Sequence, residues 1–169
     1  YKIWYYGTLA RTAWLDSGIR DFPLAATYSY NLVNHEEGVD NGESDPPTAI
    51  SAHITSSEFD LQDGDKFGFI RRILPDMTFL GSTADSPGAT MTFYPLKNSG
   101  SGYTTPASEG GNSTGTITRS VAAPVEAYTD QVNVRIRGRQ MAIKVESTSA
   151  GVQWQLGSPR IDVRADGQR

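Results

Sequence analysis

The sequence predicts an all-β fold, specifically an antiparallel β-sandwich or barrel-like module. Apolar and polar residues alternate with a period of two in most segments, and no window longer than about ten residues keeps apolar side chains at helical spacing. Clusters of Gly, Pro, Asn and Asp separate these segments. Short strands joined by such turns at regular intervals are typical of sandwiches and barrels.

Taken in chain order, the segments with strand composition and alternation are 2–6, 10–15, 26–33, 49–56, 67–74, 89–96, 115–121, 131–146 and 151–164. Two of the connections, the acidic segment 34–47 and the Gly/Ser/Thr-rich tract 98–115, have little to bury, so we expect them to be exposed and mobile. A third connection, 61–66, contains an Asp-Gly step suited to a tight reversal between strands.

The last two strands are predicted to be long, kinked and paired with each other. Their apolar residues lie at even positions and then at odd positions: Val132, Val134, Ile136, then Met141, Ile143, Val145 in one strand, and Val152, Trp154, Leu156, then Ile161, Val163 in the other. One extra residue, which we place in a bulge at Gly138, reverses the inward face of a strand in this way. We expect one domain, in which 1–130 is a β-rich module and 131–169 is a long β-hairpin packed on the same sheet.

The composition narrows the range of functions. The 169-residue chain contains no cysteine, which excludes disulfides, thiolate metal sites and cysteine nucleophiles. No apolar run reaches the roughly 20 residues that a membrane span requires, so we expect no membrane insertion. Because Tyr1 opens a segment that resembles the middle of a strand, we expect the chain to be a piece of a longer protein.

Neither histidine nor the acidic clusters indicate a catalytic or metal site. His35 and His53 have serines nearby in sequence, but no nucleophile elbow accompanies them. The acidic residues of 36–45 and of 60–65 match no EF-hand spacing, and solvated turns explain them better. Carboxylates are plentiful enough for glycoside cleavage, yet their abundance alone is no evidence for it. We therefore predict no enzymatic activity, metal or cofactor.

Charge is distributed unevenly, because 131–169 carries seven basic and three acidic side chains, a net of +4, which leaves −8 for 1–130. Opposite-signed halves suit head-to-tail contact between copies, contact with an acidic neighbour and contact with nucleic acid equally well, and each charge taken alone is explained equally well by a solvated strand face. For Arg135, Arg137 and Arg139 we favour ion pairs with an adjacent copy over contact with phosphates, because dense arginine in a channel would slow DNA.

Several segments together resemble a family of virion structural proteins from short-tailed bacteriophages. The C-terminal residues 136–169, IRGRQMAIKVESTSAGVQWQLGSPRIDVRADGQR, carry most of the likeness. Further segments are TAWLDSG (12–18), HEEGVDNG (35–42), FDLQDGD (59–65) and ILPDMTF (73–79). The resemblance implies a nozzle or tail-tube component, in which β-propeller and β-sandwich elements form a ring, expected to be hexameric, around the DNA exit channel; a propeller remnant is then expected here.

We therefore expect a structural protein of the virion, a phage-tail ring that forms part of the DNA-ejection conduit. Expected partners are further copies, adaptor or fibre proteins of the tail, and DNA that passes without sequence-specific binding. The residues predicted to make contacts are Arg135, Arg137, Arg139, Trp154, Arg160 and Arg164. The alternatives are a virion-attached β-sandwich that binds host-surface glycan through aromatic residues such as Trp4, Trp14 and Tyr28, and, with less support, a tail-borne hydrolase.

Overall fold

The computed structural model describes residues 10–18, 20–97 and 120–167. Within these ranges all regular structure is β, in antiparallel pairs, so the predicted all-β class is confirmed. The strands are β1 (Ala13–Leu15), β2 (Leu24–Ala26), β3 (Leu32–Asn34), β4 (Ala52–Thr55), β5 (Phe59–Asp60), β6 (Gly68–Leu74), β7 (Met77–Thr78), β8 (Gly88–Leu96), β9 (Val121–Glu126), β10 (Val132–Gly138), β11 (Gln140–Ser147), β12 (Gln155–Leu156) and β13 (Arg160–Ala165). No helix able to cross a membrane occurs in the described ranges.

Two sheets enclose the main core. One has the order β10-β6-β13; the other has the order β4-β11-β8-β9, with β5 also paired to β11. Alternate residues of β10 are buried, as are Met91 and Phe93 of β8, because successive side chains of a strand point to opposite faces. Ile70 and Ile73 of β6 belong to the same cluster, which therefore lies between the two sheets as in a sandwich. A two-stranded pair, β12-β7, stands beside them.

The chain passes directly from one sheet to the other between β10 and β11. At the crossing the backbone N–H of Arg139 donates to the carbonyl of Leu96 at 2.9 Å. The carbonyl of Arg139 accepts from the N–H of Leu61 at 2.7 Å. The predicted change of inward face is confirmed: even positions from Val132 to Ile136 are buried, and from Met141 onward the odd positions face the core. The register shift within β10 lies between Asn133 and Ile136, rather than at the predicted bulge position.

The predicted C-terminal hairpin is wrong. Strand β6 lies between β10 and β13 and pairs with both, while β12 pairs with β7. The inward-facing residues of the last segment were nevertheless predicted correctly, because Trp154, Ile161 and Val163 pack against the core. Periodicity reveals which face of a strand is buried, but it does not identify the neighbouring strand.

A separate three-stranded sheet, β1-β2-β3, precedes the sandwich. The sequence predicts one strand over 26–33, and this is wrong: Thr27–Asn31 is a turn that separates β2 from β3. The N–H of Thr27 donates to the Asn31 carbonyl at 2.9 Å, and the Thr27 hydroxyl accepts from the Asn31 N–H. Tyr30 within this turn has a φ of 63°, a conformation unsuited to a strand.

Strand β9 was largely missed, because 115–121 reaches only its first residue. Pro124 interrupts the run VAAPVE and lowers its strand character. Among the described strands, however, β9 lies at the edge of its sheet and pairs only with β8, and proline is tolerated at such an edge. The Asp-Gly step does reverse the chain, with Gly64 at a φ of 73°, but it joins strands of different sheets.

Some expectations fall outside the described residues. These are the predicted strand at 2–6, the tract 98–115, and the part of the predicted strand 115–121 that precedes residue 120. Across the described ranges no four-stranded unit is repeated around an axis. Because a remnant of a single blade need not repeat, the propeller remnant stays a prediction.

Candidate interaction surfaces

The outward side of sheet β10-β6-β13 forms a surface that we call the arginine face. Residues directly opposite one another in antiparallel strands share a face. The register aligns Arg137 with Phe69 and Arg164, and Asn133 with Arg72 and Asp162. The exposed arginines of this face are Arg71, Arg72, Arg135, Arg137, Arg160 and Arg164. Four of the six predicted contact residues therefore lie on one sheet.

Only part of this positive charge is neutralised locally. Arg137 pairs with Asp166 and Arg72 approaches Asp162 to 4.0 Å. The other four arginines take part in no salt bridge among the described residues. The three strands contain six arginines and one aspartate, a net of +5. A surface of this kind attracts a negatively charged partner.

The remaining two predicted contact residues lie elsewhere. Arg139 is half-buried at the crossing between the sheets, with its guanidinium carbon 5.0 Å from the centre of the Phe67 ring. Arg137 approaches the same ring to 4.1 Å. Phe67, which directly precedes β6, therefore contacts both guanidinium groups through cation–π interactions. Trp154 is half-buried and packs against the core, which limits its surface available to a partner.

One side of sheet β1-β2-β3 forms a second surface, which we call the apolar face. The register places Ala13 opposite Ala26 and Leu32, and places Leu15 opposite Leu24 and Asn34. Leu15 is 60% exposed and Leu32 is 72% exposed. The opposite side of the sheet carries Ala25, which is only 2% exposed. Five of six aligned positions on the apolar face are therefore hydrophobic and uncovered or half-covered.

The acidic segment 34–47 folds against both neighbouring units. Its Asp40 carboxylate accepts from the Gly151 N–H at 2.7 and 2.9 Å, which ties the segment to the sandwich. Glu37 accepts from the Asn34 side-chain amide at 2.7 Å, so a carboxylate lies at the edge of the apolar face. Glu36 and Asp45 are exposed. In the part of the chain that the structure describes, no three acidic or histidine side chains converge as metal ligands.

His35 lies in a polar cluster with Arg11. Its Nε2 accepts from Nε of Arg11 at 2.8 Å, and its ring centre is 4.6 Å from that of Trp14. Burial and then the Arg11 charge lower the pKa of His35, while Glu36 acts in the opposite direction. His53 lies on exposed β4, and the nearby Ser56 hydroxyl accepts from the Ile143 N–H. These contacts hold neighbouring strands and loops together.

Comparison with known family models and with curated proteins finds no significant match to this chain.

Arg71 and Arg72 were not predicted as contact residues, although the segment FIRRIL (69–74) carries a usable signal. Two adjacent polar residues between apolar pairs indicate a bulge, and the register of β6 against β13 does shift at this position. The apolar face was missed because its strands are only three residues long.

Proposed function

We propose that the chain is a structural component of a bacteriophage tail, part of the nozzle or tail-tube ring that conducts DNA out of the particle. The observation that carries this proposal is the apolar face of sheet β1-β2-β3. A contiguous hydrophobic sheet face turned to solvent marks a surface that another molecule covers. The likeness of 136–169 to virion proteins of short-tailed phages supports placing that contact in a tail ring.

Burial of the apolar face against another molecule is favourable in free energy. Full burial of a leucine side chain contributes about 1.5–3 kcal/mol, and Leu15 and Leu32 both remain more than half exposed in the isolated chain. In this proposal the sandwich forms the wall of the conduit, and backbone hydrogen bonds of Arg139 to Leu96 and Leu61 join its two sheets where the chain crosses between them. In this proposal the chain acts mechanically: neighbouring copies join around a channel, and DNA passes without base-specific contacts.

Imaging of phage particles from the source that encodes this chain tests the location directly. We expect a ring of β-sandwich density, hexameric, around the DNA exit channel below the portal. Leu15→Asp combined with Leu32→Asp should abolish incorporation into that ring. Leu80→Asp is the matched control, since Leu80 is 84% exposed outside the apolar face and its replacement should be tolerated. Particles that lack the chain, or that incorporate the double variant normally, would overturn the proposal.

A glycan-binding module is the second candidate, favoured by one observation. Trp14 is 55% exposed and stands beside His35, which lines an open cleft of about 470 Å³ together with Glu36 and Glu43. Exposed aromatic rings beside polar groups are suited to stacking against sugars. A monomeric chain that binds host polysaccharide, and loses that binding with Trp14→Ala, would favour this candidate over the ring component.

A further inference from the structure

We propose that neighbouring copies join head to tail: the N-terminal unit of one copy, residues 10–50, docks on the arginine face of the next. This inference rests on the proposed ring function and names the two surfaces that meet. The structure brings arginines from β6, β10 and β13 onto one sheet, and four of them have no carboxylate partner among the residues that the structure describes.

The two surfaces match in charge. Residues 10–50 contain seven acidic side chains and two arginines, a net of −5, whereas the three strands of the arginine face carry +5. Within the N-terminal unit, Glu43 already pairs with Arg11 at 3.6 Å and Asp40 is occupied by the Gly151 N–H. Exposed Glu36 and Asp45 make no salt bridge among the described residues. They are therefore available to a neighbour.

Their apolar surfaces also match. Glu37 lies at the edge of the apolar face through its bond to Asn34, so negative charge and hydrophobic surface occur together on the N-terminal unit. On the arginine face, half-buried Phe69 and Leu74 lie among the guanidinium groups. Arginine side chains also cover apolar surface with their methylene stems while the charged ends reach outward. An apolar sheet with the Glu37 carboxylate at its edge can therefore be accommodated there.

The signs of the charges limit which surfaces can meet. A contact between two arginine faces would oppose like charges, which repel. Contact between the arginine face and the N-terminal unit joins two different surfaces of the chain, and when it is repeated in one direction it generates a ring if the rotation between copies closes. A two-fold dimer in which the unit of each copy docks on the face of the other has the same charge pairing, so a native mass above that of a dimer distinguishes the ring.

Nucleic acid is the competing partner for an arginine-rich face. Two observations favour a second copy. The chain as a whole is negative, at −4, which opposes approach of a polyanion, and the arginine face includes hydrophobic Phe69 and Leu74, for which a phosphate backbone offers no partner. The acidic, apolar N-terminal unit satisfies both kinds of group.

Charge reversal with complementation tests this contact on the full chain. One variant reverses two charges of the face, Arg135→Glu with Arg164→Glu, which lowers its net charge from +5 to +1. A second reverses two charges of the unit, Glu36→Lys with Asp45→Lys, which changes its net charge from −5 to −1. Lys97→Glu, at an exposed site outside both surfaces, is the control. Sedimentation velocity and native mass measure assembly. We expect each double variant to associate at least tenfold more weakly than the wild type. We expect their equimolar mixture to reassemble, because an unsubstituted unit then meets an unsubstituted face at alternate contacts, while the introduced glutamates and lysines lie on the two surfaces that meet at the others.

The other outcomes separate a failure of this contact from a failure of the ring function. If both double variants assemble like wild type and Lys97→Glu, the head-to-tail contact is wrong while the ring function stands. If both variants dissociate, their mixture does not reassemble, and circular dichroism shows that both remain folded, the two surfaces do not meet each other. If wild type stays monomeric at every concentration, both proposals fail. Salt-sensitive retention of duplex DNA by a monomer, lost with Arg135→Glu and Arg164→Glu, would assign the face to nucleic acid.

Discussion

Replacement of Gly138 by alanine tests how tightly the chain is packed where it leaves one sheet and enters the other. A Cβ at this position would lie 3.0 Å from the carbonyl oxygens of both Gln140 and Leu96, and 3.2 Å from the side chain of Pro95. The two oxygens belong to the backbone, so they cannot move aside by a change of rotamer. Relief of the overlap requires movement of β11 or β8.

The expected cost follows from two opposing effects. Overpacking of a close-packed site costs about 1–3 kcal/mol, whereas replacing glycine by alanine restricts the unfolded chain and offsets about 0.4–1 kcal/mol. We expect a net destabilisation of about 1–2 kcal/mol, which for a chain of this size lowers Tm by roughly 2–8 °C. The assay is thermal or urea unfolding at one fixed, low protein concentration.

Gly42→Ala provides the matched control. A Cβ at Gly42 meets nothing within 4 Å, and its φ lies outside the left-handed region, so stability should change by less than about 0.5 kcal/mol. Equal stability of Gly138→Ala and Gly42→Ala would refute the close approach of the two sheets at this crossing.

Two further predictions concern the N-terminal unit. Asp40→Ala removes the carboxylate that accepts from the Gly151 N–H, and loss of such a charge-assisted bond costs about 1.5–3 kcal/mol. Limited proteolysis should therefore cut 34–47 faster in the variant than in wild type. Unchanged cleavage would contradict the claim that this bond holds the segment on the sandwich. The lowered pKa of His35 means that its neutral form is favoured in the fold. Its contribution to stability is complete above pH 6.5 and is lost as the pH falls through the lower folded value. In a His53→Gln background, an NMR titration of His35 with a midpoint at or above 6.5 would disprove this.

Local features of the fold could be predicted from the sequence, because alternation reports which side of a strand meets the core. The change from even to odd positions between Ile136 and Met141 correctly predicted that the inward face changes there. Both β10 and β11 bury the predicted residues. Strand partners could not be predicted in this way. Strand β13 pairs with β6 across about ninety residues of sequence, and nothing in either segment specifies the other.

The candidate surfaces were predictable in part for the same reason. Arg135, Arg137, Arg160 and Arg164 could be selected as exposed residues of alternating strands. Their convergence with Arg71 and Arg72 depends on β6 lying between β10 and β13, which is a property of topology. The apolar face depends on the turn at Thr27–Asn31, which converts an apparent single strand into two and places Leu24 beside Asn34.

Thiol labelling of single-cysteine variants tests most directly whether a neighbouring copy covers the apolar face. The chain has no cysteine of its own, so Ala13→Cys on the apolar face and Ser86→Cys at an exposed loop position each introduce one reactive group. In concentrated, assembled protein we predict that Ala13→Cys reacts at least tenfold more slowly than Ser86→Cys, and that dilution to the monomer removes the difference. Equal labelling of both sites at every concentration would contradict the account.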